Sequence, residues 1–188
     1  MSTQAVVPYF TQVILSHRNA TGVTDAFAIV HFFGNTFETA AQVAEVKRLG
    51  LDGLFAWLNG PANPILEYGS LGEVDAAVEA QLRVLRPLGI PLLSYEGGQH
   101  LLAGGSMRGD LQLESILDRV NRAPRMRSVY LKYLASWHNR TGQPLQHYVH
   151  CDRWSVYGKW GAEEYASQPR ARAPKLDALL AFIASSPL

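Results

Sequence analysis

The chain has 188 residues, 47% hydrophobic and 18% charged, with a formal net charge of +1. This suits one globular domain spanning the whole chain, and the near-neutral balance without a Lys/Arg run argues against a nucleic-acid partner. No apolar run of about 18 residues or more is present, so no membrane-spanning helix is expected. The lone cysteine, Cys151, leaves no intrachain disulfide and no cysteine-based metal spacing; its apolar context predicts a buried structural thiol.

The first residues, "MSTQAVVPYF", lack the charged and long apolar regions of a signal peptide. Pro8 to His17 reads as a helix with Phe10, Val13 and Ile14 on one face. Thr24 to Gly34 is a continuous apolar run, which predicts a fully buried strand. Glu38 to Leu49 is amphipathic, with Gly50 where a terminating glycine belongs. "LDGLFAWLNGPANP" reads as a short helix or loop followed by a turn. Leu71 to Leu88 places Val74, Ala77, Val78, Leu82 and Leu85 on one helical face, and Gly89 stops it before a strand from Ile90 to Tyr95. Helices follow at Leu111 to Val120 and Arg125 to Asn139, split by Pro124, with Arg119, Arg122, Arg125 and Arg127 on a solvated face. Pro144 to Cys151 is the third strand, Asp152 to Ala173 a polar and aromatic loop, and Pro174 to Ala184 a last helix.

Strands alternating with helices predict an α/β fold with a parallel sheet. In such folds chemistry gathers at the C-terminal ends of the strands. Those ends are rich in functional side chains here: His31 and Phe32 on the first, "YEGGQH" from Tyr95 to His100 on the second, and His147 to Asp152 on the third. Glu96 stands out. A carboxylate leaving an apolar strand must be hydrogen-bonded or functional, because burying it unpaired is costly. Gly97 and Gly98 permit unusual backbone angles and let a ligand approach. Trp154, Tyr157, Trp160 and Tyr165 fill the last loop, either as platforms for sugar faces or as packing.

"YEGGQHL", followed by a strand and then "WSVYGKWGAEEY", resembles the C-terminal half of a (β/α)8-barrel family whose members are described as cellulose-binding proteins or glycosyl hydrolases. That family is similar to the clan of retaining glycosidases with catalytic glutamates on barrel strands 4 and 7. The resemblance implies a partial TIM barrel, about strands 6 to 8 with flanking helices, incomplete as a single chain. It implies that Glu96 is the nucleophile and that Trp154 floors the sugar subsite. The strand-6 position that often carries a tyrosine holds His31 and Phe32 here. The strand-4 acid/base has no counterpart in the chain. Retaining chemistry needs two carboxyl groups about 5 Å apart; Asp152 and Glu163 lie on the same side of the fold as Glu96.

The expected site is therefore Glu96 as catalytic residue, with His31, Tyr95, Gln99, His100, Asp152, Trp154, Tyr157 and Trp160 contacting a polysaccharide or oligosaccharide. A non-catalytic polysaccharide-binding protein or inactive barrel remnant is the alternative. The reading calls for no cofactor and no metal. His31, Glu96, His100, His147 and His150 form no compact ligand motif, and His147 and His150 fall on opposite strand faces. Unpaired strand edges and an open apolar face predict homo-oligomerisation or a missing N-terminal half-barrel. The resembling family is mostly secreted.

Overall fold

The computed structural model describes residues 7–185; the first six residues of the N-terminal stretch quoted above lie outside it. Three strands, β1 (Phe27–Phe33), β3 (Leu92–Gln99) and β5 (Leu145–His147), form an open parallel sheet in the order β1-β3-β5. Two short strands, β2 (Thr36–Phe37) and β4 (Leu102–Ala103), extend β1 and β3 beyond a break and pair in parallel with each other. Among the described residues, six α-helices connect and flank them: α1 (Pro8–Ser16), α2 (Ala40–Asn59), α3 (Leu71–Leu85), α4 (Leu111–Arg122), α5 (Arg125–Thr141) and α6 (Pro174–Ser185). The chain is thus an α/β fold, as the alternation of elements predicts. None of the described helices is long and apolar enough to cross a membrane.

Local chemistry sets the helix ends. Thr39 and Gln42 form a reciprocal capping box on α2, and Ser70 and Glu73 form another on α3. The Asp110 carboxylate accepts the Leu113 amide at the start of α4 and also holds Lys47 at 2.6 Å. Such caps are worth about 1 kcal/mol each. Gly50 takes φ 58 and breaks α2, as its place after the amphipathic stretch predicts. Helix then resumes, and Leu54, Phe55, Trp57 and Leu58 enter the core; the ambiguous "LDGLFAWLNG" is therefore its second half. Gly89 and Gly142 close their elements in the left-handed conformation.

One side of the sheet is covered. Ile29, Leu92 and Phe33 pack against Val78, Leu82 and Leu85 of α3 and Tyr130, Tyr133 and Trp137 of α5, in two adjoining clusters. Tyr133 ties this layer together. Its hydroxyl accepts the Gly98 amide at 3.0 Å and donates to the His31 carbonyl, bridging β3 to β1. Beside it, the Tyr130 hydroxyl accepts the Gln99 amide at 3.1 Å. A Cβ at Gly97 would fall on the Tyr133 hydroxyl and lie 2.6 Å from the His31 carbonyl oxygen. Gly98 has φ 134, a backbone open to glycine, and a Cβ there would meet His147 and Tyr130.

Three expectations change. The second strand does not stop at Tyr95: it runs to Gln99, because the two tyrosine hydroxyls supply bonds to its last amides. The third strand is only Leu145–His147. Since the chain leaves the sheet after His147, Cys151 is exposed rather than buried; it meets Glu163 in an isolated bridge. The arginine cluster does face solvent, where Arg122 pairs with Glu164 at 2.7 Å and Arg125 with Asp52 at 2.5 Å. Exposed pairs of this kind add little stability.

Replacing Tyr133 by Phe leaves a buried amide and a buried carbonyl without their bridge, and is expected to cost about 2–4 kcal/mol. Urea unfolding should show a lower midpoint at unchanged m-value. Tyr157→Phe, at an exposed ring, should stay within about 0.5 kcal/mol of the natural chain; equal stability of the two variants would refute the bridge.

Candidate functional site

Among the described residues, the hydrophobic clusters place no helix on the other side of the sheet. A bulge in β3 decides what stands on it. The register runs Ile29↔Ser94 and then Val30↔Glu96, so Tyr95 is an extra residue. In a strand that ran through Tyr95 without the bulge, alternation would put Glu96 on the helix side with Ser94. With it, Gly97 faces Tyr133 and Glu96 shares the open face with Val30. Ser94 fixes the distortion by donating its hydroxyl to the Glu96 carbonyl at 3.0 Å. Tyr95 is about half exposed and also stands on the open side, where Ala28, Leu93 and Gln146 line a shallow cavity of about 400 Å3 with it. Among the described residues, no hydrogen bond or ion pair engages the Glu96 carboxylate.

Towards the C-terminal end of the same face lies a group of rings. Phe32 meets Tyr148 edge-on at 6.0 Å, and Tyr148 meets Trp160 edge-on at 5.6 Å. His100 lies 5.4 Å from Phe32 and 5.7 Å from Trp160. The Trp160 indole can only donate, and it does so to His100 Nδ1 at 3.1 Å. The imidazole proton therefore sits on Nε2, 2.9 Å from the Thr36 hydroxyl. Burial lowers the His100 pKa to about 4, so the ring is neutral near pH 7. Both nitrogens are committed, and His100 acts as a strut between β2 and the last loop.

Several residues expected at the site are placed elsewhere. His31 points under the sheet, stacked at 4.8 Å on Tyr133 and 4.6 Å from Trp137, with its pKa lowered to about 3 by burial. It lies on the opposite face from Glu96. Gln99 is buried and spends its amide on the Lys159 carbonyl at 2.6 Å and the Leu101 amide at 2.9 Å. Asp152 and Trp154 line a separate open cleft of about 630 Å3 with Arg153, Glu164 and Tyr165. The Trp154 ring turns towards the helices, with Lys175 Nζ 4.3 Å and the Arg122 guanidinium 5.4 Å from its centre. Tyr157 is exposed beneath Arg108. Glu163 faces His150 at 3.5 Å. Neither Asp152 nor Glu163 shares a hydrogen bond, ion pair or lining cavity with Glu96 among the described residues.

The structure thus brings together Glu96, Tyr95, Trp160 and His100 along one face, and sets His31, Gln99, Asp152, Trp154 and Tyr157 apart. Phe32 and Tyr148 join the first group although the sequence reading did not assign them to a site; alternation from Leu145 outward would have found Tyr148. The histidines do not converge: among the described residues no group of three or more His, Cys, Asp or Glu could hold a metal ion. Lys175 is another committed group. Fully buried, it donates to the Lys159 carbonyl at 2.6 Å and lies 3.3 Å from Asn121 Oδ1, and burial holds its amine well below the usual lysine value.

No family model matches the chain, and neither does any curated protein or solved structure.

Three histidines are held neutral: His31, His100 and His147, the last with burial lowering its pKa to about 4 and its Nε2 3.2 Å from the Tyr130 hydroxyl. Their folded values lie below the unfolded value of about 6.5, so the unfolded chain takes up protons first as pH falls. Their contribution is full above about pH 6.5 and is lost towards pH 4. At about 1.4 kcal/mol per histidine per pH unit, some 6 kcal/mol disappears by about pH 5, comparable to the stability of a small domain. Thermal melts should fall steeply below about pH 6; a melting temperature unchanged down to about pH 4.5 would refute this.

Proposed function

We propose that the chain is a glycoside-hydrolase-like, carbohydrate-binding face built on part of a (β/α)8 barrel. One observation carries the reading: a bulge turns a carboxylate that has no hydrogen bond or ion pair among the described residues onto an open sheet face, beside exposed tyrosines and below a cluster of rings. Sugar rings present apolar C–H faces and a rim of hydroxyls. Tyr95, Tyr148 and Trp160 offer flat apolar surface for the former. The Glu96 carboxylate accepts hydrogen bonds from the latter, and such charge-assisted bonds are about twice as strong as neutral ones. Three parallel strands with their C-terminal ends on one side and both outer edges unpaired support the partial-barrel reading.

The same geometry limits the chemistry. As a retaining nucleophile, Glu96 would attack the anomeric carbon while a second carboxyl group, about 5 Å away, protonated the leaving oxygen. Among the described residues no carboxylate is linked to Glu96. On this reading the chain binds carbohydrate and carries a nucleophile position, and cleavage would draw its acid/base from outside the described residues.

Affinity electrophoresis in gels containing β-glucans and xylans tests this. The natural chain should be retarded by at least one polymer. Tyr148→Ala should weaken binding about tenfold, and Glu96→Gln about three- to tenfold, with circular dichroism unchanged. Neither the natural chain nor Glu96→Gln should release reducing ends. Lack of retardation on every polymer would overturn the reading; release by the natural chain that Glu96→Gln abolishes would make it an enzyme in its own right.

A further inference from the structure

Parallel sheets are stable when both faces are covered, usually by helices. Here α3 and α5 cover one face, and Ala28, Val30, Leu93 and Tyr95 remain open on the other. Beside β1 lies a helix with the reverse deficit. The inner side of α1 is anchored: the Thr11 hydroxyl donates to Gln81 Oε1 at 2.7 Å, and Leu15 is buried against α3. Its outer side is apolar and uncovered, with Phe10 61%, Val13 45% and Ile14 54% exposed. Val7, Phe10 and Ile14 recur at helical spacing and form one row. Val7 and Phe10 also border a cavity of about 150 Å3 shared with Ala28, Val30 and Tyr95, so the helical row and the open sheet face are continuous.

We infer that two copies of this chain pair through this surface, with α1 of each laid over the open sheet face of the other. Each chain carries a helix lacking a sheet and a sheet lacking a helix, side by side, which is the self-complementary arrangement a two-fold interface needs. The size fits. A large aromatic offers about 150–250 Å2, so half-exposed Phe10 and Tyr95, the row of Val7, Val13 and Ile14, and the sheet residues Ala28, Val30 and Leu93 together supply about 600–800 Å2. A stable interface uses about 800 Å2 per partner. Charge does not oppose it: the nine residues of α1, "PYFTQVILS", include no charged side chain. Tyr95 belongs to both this surface and the proposed carbohydrate face, while Glu96, Tyr148 and Trp160 are not counted in the pairing, so pairing would withdraw one ring from the sugar platform.

Sedimentation velocity from about 1 to about 100 µM, with the natural chain, Phe10→Asp and Leu111→Asp, decides the matter. The natural chain should be a dimer. Phe10→Asp should raise the dissociation constant at least about 100-fold, since a charge would enter the centre of the interface. Leu111→Asp, at an exposed position on α4 away from the surface, should leave it unchanged. In a Cys151→Ser background, oxidising a mixture of Ile14→Cys and Leu93→Cys should give a mixed disulfide dimer in preference to either homodimer. A natural chain monomeric at every concentration would overturn the pairing and leave the face to a different partner. A dimer indifferent to Phe10→Asp would place the interface elsewhere. Glucan retardation of Phe10→Asp, measured alongside, separates failure of the pairing from failure of the carbohydrate reading.

Discussion

Two tyrosine hydroxyls reaching from α5 into the backbone of the sheet are the constraint on which the rest depends. Tyr133 holds the Gly98 amide and the His31 carbonyl, and Tyr130 holds the Gln99 amide. A phenol is long enough to bring its hydroxyl to the strand only if nothing stands between, so Gly97 must lack a side chain. The glycine pair after Glu96 is thus explained by the helix beneath the sheet. It makes room for a tyrosine, whereas the sequence suggested room for a ligand. Once α5 is pinned there, His31 is trapped between Tyr133 and Trp137, the strand extends to Gln99, and Gln99 can fasten the last loop through Lys159.

The polar groups at the strand ends divide by face. Those beneath the sheet, His31 and the half-buried His147, have pKa values lowered by burial and are neutral. Those that join the sheet to the last loop, Gln99 and His100, spend their donors and acceptors on protein partners. Glu96 differs: among the described residues its carboxylate makes no hydrogen bond or ion pair. The Trp-rich loop is divided too. Its Trp160 half stacks on the sheet end, while its Trp154 half folds back over Lys175 and Arg122. A motif contiguous in sequence therefore serves two separate surfaces.

Much of the fold was legible because helical periodicity is local. The faces of α3 and α4, the break at Gly50 and the stop at Gly89 follow from spacing and backbone preference alone. The parallel order follows from alternation of strands with helices. The facing of residues within β1 was not legible, because the one polar residue of the run "FAIVHFF", His31, stands on the buried side. His31 therefore read as a site residue although it points away. The end of β3 was hidden for another reason: it depends on tyrosines more than thirty residues further on, at sequence separations of 31 and 35. The exposure of Cys151 escaped notice because composition says what a segment resembles, and the sheet had already ended at His147.

The bulge at Tyr95 has a consequence for how such a face could arise or vanish. Side chains on a strand obey an odd–even count, and one supernumerary residue inverts the count for all that follows. Here the inversion sends Glu96 outward and Gly97 inward together. A strand running regularly through Tyr95 would exchange the two, with a carboxylate in the tyrosine layer and a blank on the open side; loss of Tyr95 itself would leave Glu96 opposite Val30 and both facings as they are. In this strand the facing of Glu96 depends on where the backbone accommodates its extra residue as much as on residue identity. Ironing the bulge flat would bury the carboxylate, whereas deleting Tyr95 would preserve its facing and remove only a tyrosine from the open side.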